Sequence, residues 1–129
     1  MTPRLDMIGL VVADMDRAAA FYQLLGVELH PEPGRPYAEA TLAGGIRLSL
    51  NHIDMARQIH GEAWEEPKGQ RIGLAWHCGS AAGVDALHDK LVAAGHASEK
   101  APWDAFWGQR YAIVLDPDGN AVELFAPLG

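Results

Sequence analysis

The chain reads as an α+β protein made of two tandem copies of one module, each a strand, a helix and then three strands. Three observations predict this. Ile8-Gly9-Leu10 returns as Ile72-Gly73-Leu74, and Leu48-Ser49-Leu50 returns as Val122-Glu123-Leu124. A polar cap and a closing glycine, Gly26 or Gly95, bracket one helical pattern in each half. Each half then ends on a glycine-turned hairpin, with Gly45 and Gly119 in matching places. A repeat of this kind means two modules, each with too small a core to stand alone.

In the first copy, Leu5–Ala13 is apolar and branched, as a buried strand should be. Asp14 offers an N-cap, and Met15, Ala18, Ala19, Tyr22 and Leu25 recur at helical spacing. Val27–His30 is expected as a short strand. Pro31–Pro36, with three prolines and a glycine, is a turn. Tyr37–Leu42 and Ile46–Asn51 form a hairpin around Ala43-Gly44-Gly45.

In the second copy, Arg71–Cys78 is expected as the first strand. Ser80 caps a helix carrying Val84, Leu87, Leu91 and Ala94. A short strand follows at His96–Glu99. The last hairpin, Trp107–Leu115 and Ala121–Ala126, turns at Asp116-Pro117-Asp118-Gly119-Asn120. The polar, partly helical run 53–70 joins the copies. The module bounds are 4–56 and 71–128, with 57–70 as linker.

The 129 residues are 49% hydrophobic and 21% charged, which suits one soluble domain that folds without a staple. A lone Cys78 excludes an intramolecular disulfide and a multi-cysteine metal cage. The start of the sequence shows no export signal, and no apolar run approaches a membrane span, so a reduced, cytoplasmic setting is expected. A net charge of −7 argues against a nucleic-acid partner. It serves solubility first and a cationic small molecule second.

The opening "IGLVVADMDRAAAFYQLLGVEL" and the ending "WGQRYAIVLDPDGNAVELF" resemble the vicinal oxygen chelate superfamily: glyoxalase I, bleomycin-resistance proteins and extradiol dioxygenases. The resemblance spans essentially the whole chain, and the turn followed by Ala-Val-Glu-Leu-Phe is its most specific piece. It implies two βαβββ modules whose strands curl into a cup-shaped mixed sheet with the pocket inside. It also implies a homodimer with pockets at the subunit interface.

Enzymes of that family hold a divalent ion with ligands from the first and last strands of each module. Aligning the two copies puts those positions at Met7, Ser49, Arg71 and Glu123. Only Glu123 has suitable chemistry: a thioether, a neutral hydroxyl and a guanidinium do not hold a hard cation. No metal and no cofactor are expected. Arg71 either pairs with Glu123 in the cup or faces solvent.

Strand alternation sends Ile8, Leu10 and Val12 to the helices and Met7, Ser49, Asn51, Glu123 and Phe125 into the cup. Trp107, Gln109, Tyr111 and Ile113 share that face. Trp76 falls on the helix side, as core. Trp64, Trp103 and Trp107 belong to loops, where an indole either walls a ligand or seals an interface. Among six histidines, His77 shares strand parity with Arg71 and is the cup candidate. His88 is expected to be exposed on its helix, and His30 and His96 at the surface. His52 and His60 either line the pocket rim or are solvated. Cys78 reads as a packing residue.

The expected ligand-binding set is therefore Met7, Ser49, Asn51, Trp64, Arg71, His77, Trp103, Trp107, Gln109, Tyr111, Glu123 and Phe125. Apolar and aromatic with a few polar groups, it suits a small-molecule pocket. Resemblance to the bleomycin-resistance branch implies sequestration of a flat, aromatic natural product of bleomycin, mitomycin or enediyne/anthraquinone type, and so antibiotic resistance. The alternative is a glyoxalase-like lyase or other enzyme with Glu123 as base.

Overall fold

Backbone donors at a helix start need acceptors, and two short polar side chains supply them here. In the computed structural model, which describes all 129 residues, the chain forms two compact units, Met1–Pro67 and Lys68–Gly129. The first opens with β1 (Met7–Val12). The Asp14 carboxylate then accepts from the Arg17 backbone N–H at 3.0 Å and starts α1 (Met15–Leu24). β2 (Tyr37–Thr41) and β3 (Arg47–His52) follow as a hairpin, with Gly44 and Gly45 at φ of +92° and +93°, a region that disfavours any side chain. The sheet order is β1-β3-β2, with β1 parallel and β2 antiparallel to β3.

Alternation sorts the buried apolar side chains of this sheet to one face, although Ser49 on the other face is buried as well. Val12, Leu48 and Leu50 are buried with Ala18, Phe21 and Tyr22 of α1, each large one contributing about 1.5–3 kcal/mol. Gly9 pairs with Ser49, and Ser49 with Glu39, on the opposite face. The expected strand Val27–His30 does not form. Val27 N–H bonds back to the Tyr22 carbonyl, Leu29 N–H bonds the Val27 carbonyl, and Gln23 Nε2 donates to the Leu29 carbonyl at 2.6 Å. Local partners take the polar groups a ladder would need, while Val27 and Leu29 still bury their side chains. α2 (Ile53–His60) starts on His52, whose Nδ1 accepts from Asp54 N–H at 3.1 Å. A single tighter turn, Gly61–Ala63, follows.

The second unit opens with β4 (Leu74–His77), three residues later than expected. Ser80 Oγ accepts from Gly83 N–H at 3.0 Å and starts α3 (Ala81–Ala93). β5 (Ser98–Ala105), β6 (Gln109–Leu115) and β7 (Ala121–Pro127) complete a sheet of order β4-β7-β6-β5. β4 runs parallel to β7, and the other pairs are antiparallel. β5 is longer than expected and takes Pro102 and Trp103 out of the loop. An edge strand tolerates proline, and the register shifts on both sides of Lys100 absorb the irregularity. The β6–β7 turn is tied by Asp116, whose Oδ1 accepts from the N–H groups of Asp118 (2.9 Å) and Asn120 (2.8 Å).

His88 is not exposed. It is only 8% accessible, and its Nε2 shares a 2.7 Å hydrogen bond with Ser98 Oγ, linking α3 to β5. Its turn of the helix faces the sheet alongside Val84 and Leu91, which an isolated polar residue in the pattern does not advertise. Trp76 is half-buried, and so is His96. No helix is long and apolar enough to cross a membrane.

Candidate functional site

The helix-distal face of the second sheet carries most of the expected site. Pairing places Trp103 (β5) opposite Tyr111 (β6), Tyr111 opposite Phe125 (β7), and Phe125 opposite His77 (β4). These four partners form one row across four strands. Their rings touch: Trp103–Tyr111 centroids are 5.4 Å apart, Tyr111–Phe125 6.4 Å, and His77–Phe125 5.0 Å. Trp107, on the β5–β6 turn, stands edge to face with both Trp103 (6.1 Å) and Tyr111 (5.2 Å). Its indole Nε1 donates to Gln109 Oε1 at 2.8 Å, which fixes the ring's orientation. Trp107 keeps 47% of its surface exposed, so this row is a platform and not a closed core.

Two members of the platform were not expected. Phe106, 98% exposed at the turn, touches Trp107 at 5.0 Å. Lys100 Nζ lies 3.9 Å from the Trp103 ring centroid. The Phe-Trp pair before Gly108 was the available signal for Phe106. Nothing in the residue spacing marks Lys100, because the bulge next to it resets strand parity.

Glu123 sits beside the row. It is the partner of Ile113 and the diagonal neighbour of Tyr111 on the same face. Burial raises the Tyr111 phenol above its ordinary value, and the neighbouring Glu123 carboxylate raises it further. His77 Nδ1 accepts from Gly79 N–H at 2.9 Å, so a neutral His77 carries its proton on Nε2. Burial pushes the Cys78 thiol up, which keeps it protonated and unreactive.

Arg71 does not join Glu123 as an ion pair. The register explains why. Gly9 pairs with Ser49 five residues before the Asp14 cap, and Ala75 pairs with Glu123 five residues before the Ser80 cap. The first strands of the two copies therefore correspond as Gly9 to Ala75 and Met7 to Gly73. The Ile-Gly-Leu repeat had placed them two residues off. Arg71 lies before β4 begins and is exposed.

In the first unit, Met7, Ser49 and Asn51 do share the face that alternation assigned them. Asn51 Nδ2 donates to Ser49 Oγ at 3.0 Å. Tyr37 donates to Glu39 Oε2 at 2.6 Å and lies 3.2 Å from Met7 Sδ. The hydrogen bond to Glu39, then burial, raises the Tyr37 phenol. Arg47 bridges Glu39 and Asp6. Trp64 follows the short turn, 5.9 Å from the His60 ring, with its Nε1 3.3 Å from Glu66 Oε1.

The resemblance implies a divalent metal, and the donor set does not fit one. Met7 offers a thioether, Ser49 a neutral hydroxyl already bonded to Asn51, and Gly73 no side chain, which leaves Glu123 alone. No three His, Cys, Asp or Glu side chains converge so as to hold a metal ion.

The family model for the Glyoxalase/Bleomycin resistance protein/Dioxygenase superfamily matches residues 4–124. Among solved structures, the chain is similar to a glyoxalase/bleomycin resistance protein/dioxygenase family enzyme from Burkholderia phytofirmans PsJN. That likeness has a TM-score of 0.84 at 22% identity, over 98% of this chain and 100% of that one. A glyoxalase/bleomycin resistance protein/dioxygenase from Nocardioides is 27% identical, with a TM-score of 0.76, over 99% of this chain and 85% of that one. A lactoylglutathione lyase from Agrobacterium tumefaciens shares the fold at 19% identity and a TM-score of 0.68, over 96% and 93% of the two chains. No curated protein matches the chain.

Proposed function

The chain belongs to the Glyoxalase/Bleomycin resistance protein/Dioxygenase superfamily, and on that premise we propose that it is a metal-independent binding protein for a flat aromatic small molecule. One observation carries the reading: Trp103, Trp107, Tyr111 and Phe125 make a continuous ring platform on one sheet face, with Trp107 half in solvent. A soluble domain gains nothing in stability from leaving such rings wet, whereas a planar ligand laid on them desolvates both surfaces. The platform is rigid before binding, because the Gln109 bond holds Trp107 and strand pairing holds the rest. Little ordering cost then offsets the contact energy. Sequestration of a natural product of bleomycin, mitomycin or enediyne/anthraquinone type, conferring antibiotic resistance, is the form this function takes.

The Glu123 carboxylate next to Tyr111 favours a second reading, in which Glu123 removes a proton from a bound substrate and Tyr111 orients it. One experiment separates the two. Purified protein is titrated with these compounds by tryptophan fluorescence, and the bound compound is recovered and weighed by mass spectrometry. Quenching with unaltered recovery supports sequestration. A changed mass supports the enzyme, and no quenching by any compound contradicts both.

A further inference from the structure

Gly73 is the floor of a small polar recess next to the aromatic platform. A Cβ built on Gly73 would stand 3.1 Å from Glu123 Oε2 and 3.2 Å from Gln70 Nε2. Two side-chain ends of opposite hydrogen-bonding character thus converge on the space that glycine leaves open. Glu123 Oε2 accepts, and Gln70 Nε2 donates. All three residues lie in the second unit, and Glu123 stands beside the platform, one diagonal step from Tyr111 on the same face. The first unit uses its matching strand differently. There a Cβ on Gly9 would meet Asn51 Nδ2 at 3.1 Å and Ser49 Oγ at 3.3 Å, and those two groups already bond each other. Gln70 is exposed, and its amide makes no such hydrogen bond with a neighbouring side chain.

We propose that Gln70 and Glu123, side by side over Gly73, form a donor–acceptor subsite for a lactam or carboxamide edge on a flat aromatic ligand. This rests on the platform reading above and adds the polar end of the molecule. The ligand N–H donates to Glu123 and the adjacent carbonyl accepts from Gln70 Nε2, while the ring system lies over Tyr111 and its neighbours. An anionic edge is disfavoured by Glu123. An edge that only accepts leaves the carboxylate without a partner once water is displaced.

The test uses two planar probes of equal shape. Phenanthridin-6(5H)-one carries the lactam edge, and phenanthridine lacks it. Both are titrated into the intact protein by tryptophan fluorescence. The expected result is tighter binding of the lactam by about tenfold, from one to two partly exposed hydrogen bonds. Gln70→Ala, at an exposed position, brings that ratio close to one. Gly73→Ala, which fills the recess, does the same. Equal affinity of the two probes for the native protein overturns the subsite and leaves the platform standing. A preference that survives Gln70→Ala also overturns it. Failure of both probes to bind overturns the platform and the subsite together.

Discussion

Tyr111 of β6 and Glu123 of β7 stand one diagonal step apart on one face of the sheet, so the phenol feels the carboxylate's charge. This adjacency joins the ring platform to the acidic group beside it. It also ties the phenol's titration to the site. Tyr111 is expected to ionise above the ordinary value of 10.0, through burial first and Glu123 second. A raised folded value means the unfolded chain loses its phenolic proton first as pH climbs. The contribution to stability is therefore complete below pH 10 and lost as pH rises through the folded value. Phenolate absorbance should show Tyr37 and Tyr111 both titrating late, and Tyr111→Phe should remove one of these late steps. In Glu123→Gln that titration should move back toward the ordinary value without reaching it.

Trp107→Ala removes three ring contacts, with Phe106, Trp103 and Tyr111. Because the ring is half in solvent, the expected loss of stability is only ~1–2 kcal/mol by urea unfolding. The loss of affinity for a planar ligand should be larger, about 30-fold, as for a central aromatic anchor. Equal affinity of variant and native protein would remove Trp107 from the site.

Replacing a helical glycine by alanine ordinarily stabilises by ~1 kcal/mol. Gly83→Ala in α3 should do the opposite. Its Cβ would stand 2.2 Å from the Cys78 carbonyl oxygen, a backbone atom that cannot swing away. A fall in the urea midpoint is expected, and a rise would show that the turn before α3 relaxes freely.

His88 Nε2 shares a hydrogen bond with Ser98 Oγ inside the second unit, while His88 Nδ1 is buried without a hydrogen-bond partner. Ser98→Ala leaves Nε2 unpaired as well and should cost ~1–3 kcal/mol. Adding His88→Leu removes the orphaned group, so the double variant should be at least as stable as Ser98→Ala alone. Urea unfolding of the three proteins measures this.

Much of this was legible in the amino acids because strand alternation and helix caps are local. Asp14 and Ser80 cap where expected, and the ring residues of the last hairpin share one face as parity required. The failures came from long-range pairing. Val27 and Leu29 alternate like a strand but spend their hydrogen bonds locally. The Ile-Gly-Leu repeat suggested Arg71 as the counterpart of Met7, whereas the cap spacing and the Ala75–Glu123 pair identify Gly73. Local likeness at one tripeptide outweighed the cap five residues on. Trp103 seemed a loop residue because Pro102 precedes it, and only the edge position of β5 makes that proline acceptable.

The most direct test of the central claim watches the four indole N–H resonances by NMR while phenanthridine is added. Trp103 and Trp107 stand on the platform, and Trp76 is on the other face of the same sheet, next in sequence to His77 and of opposite parity. Saturable shifts of the Trp103 and Trp107 signals, with Trp76 nearly unmoved, are the expected result. Shifts at Trp76 equal to those at Trp103 and Trp107, or no saturable shift at either platform indole, would contradict it.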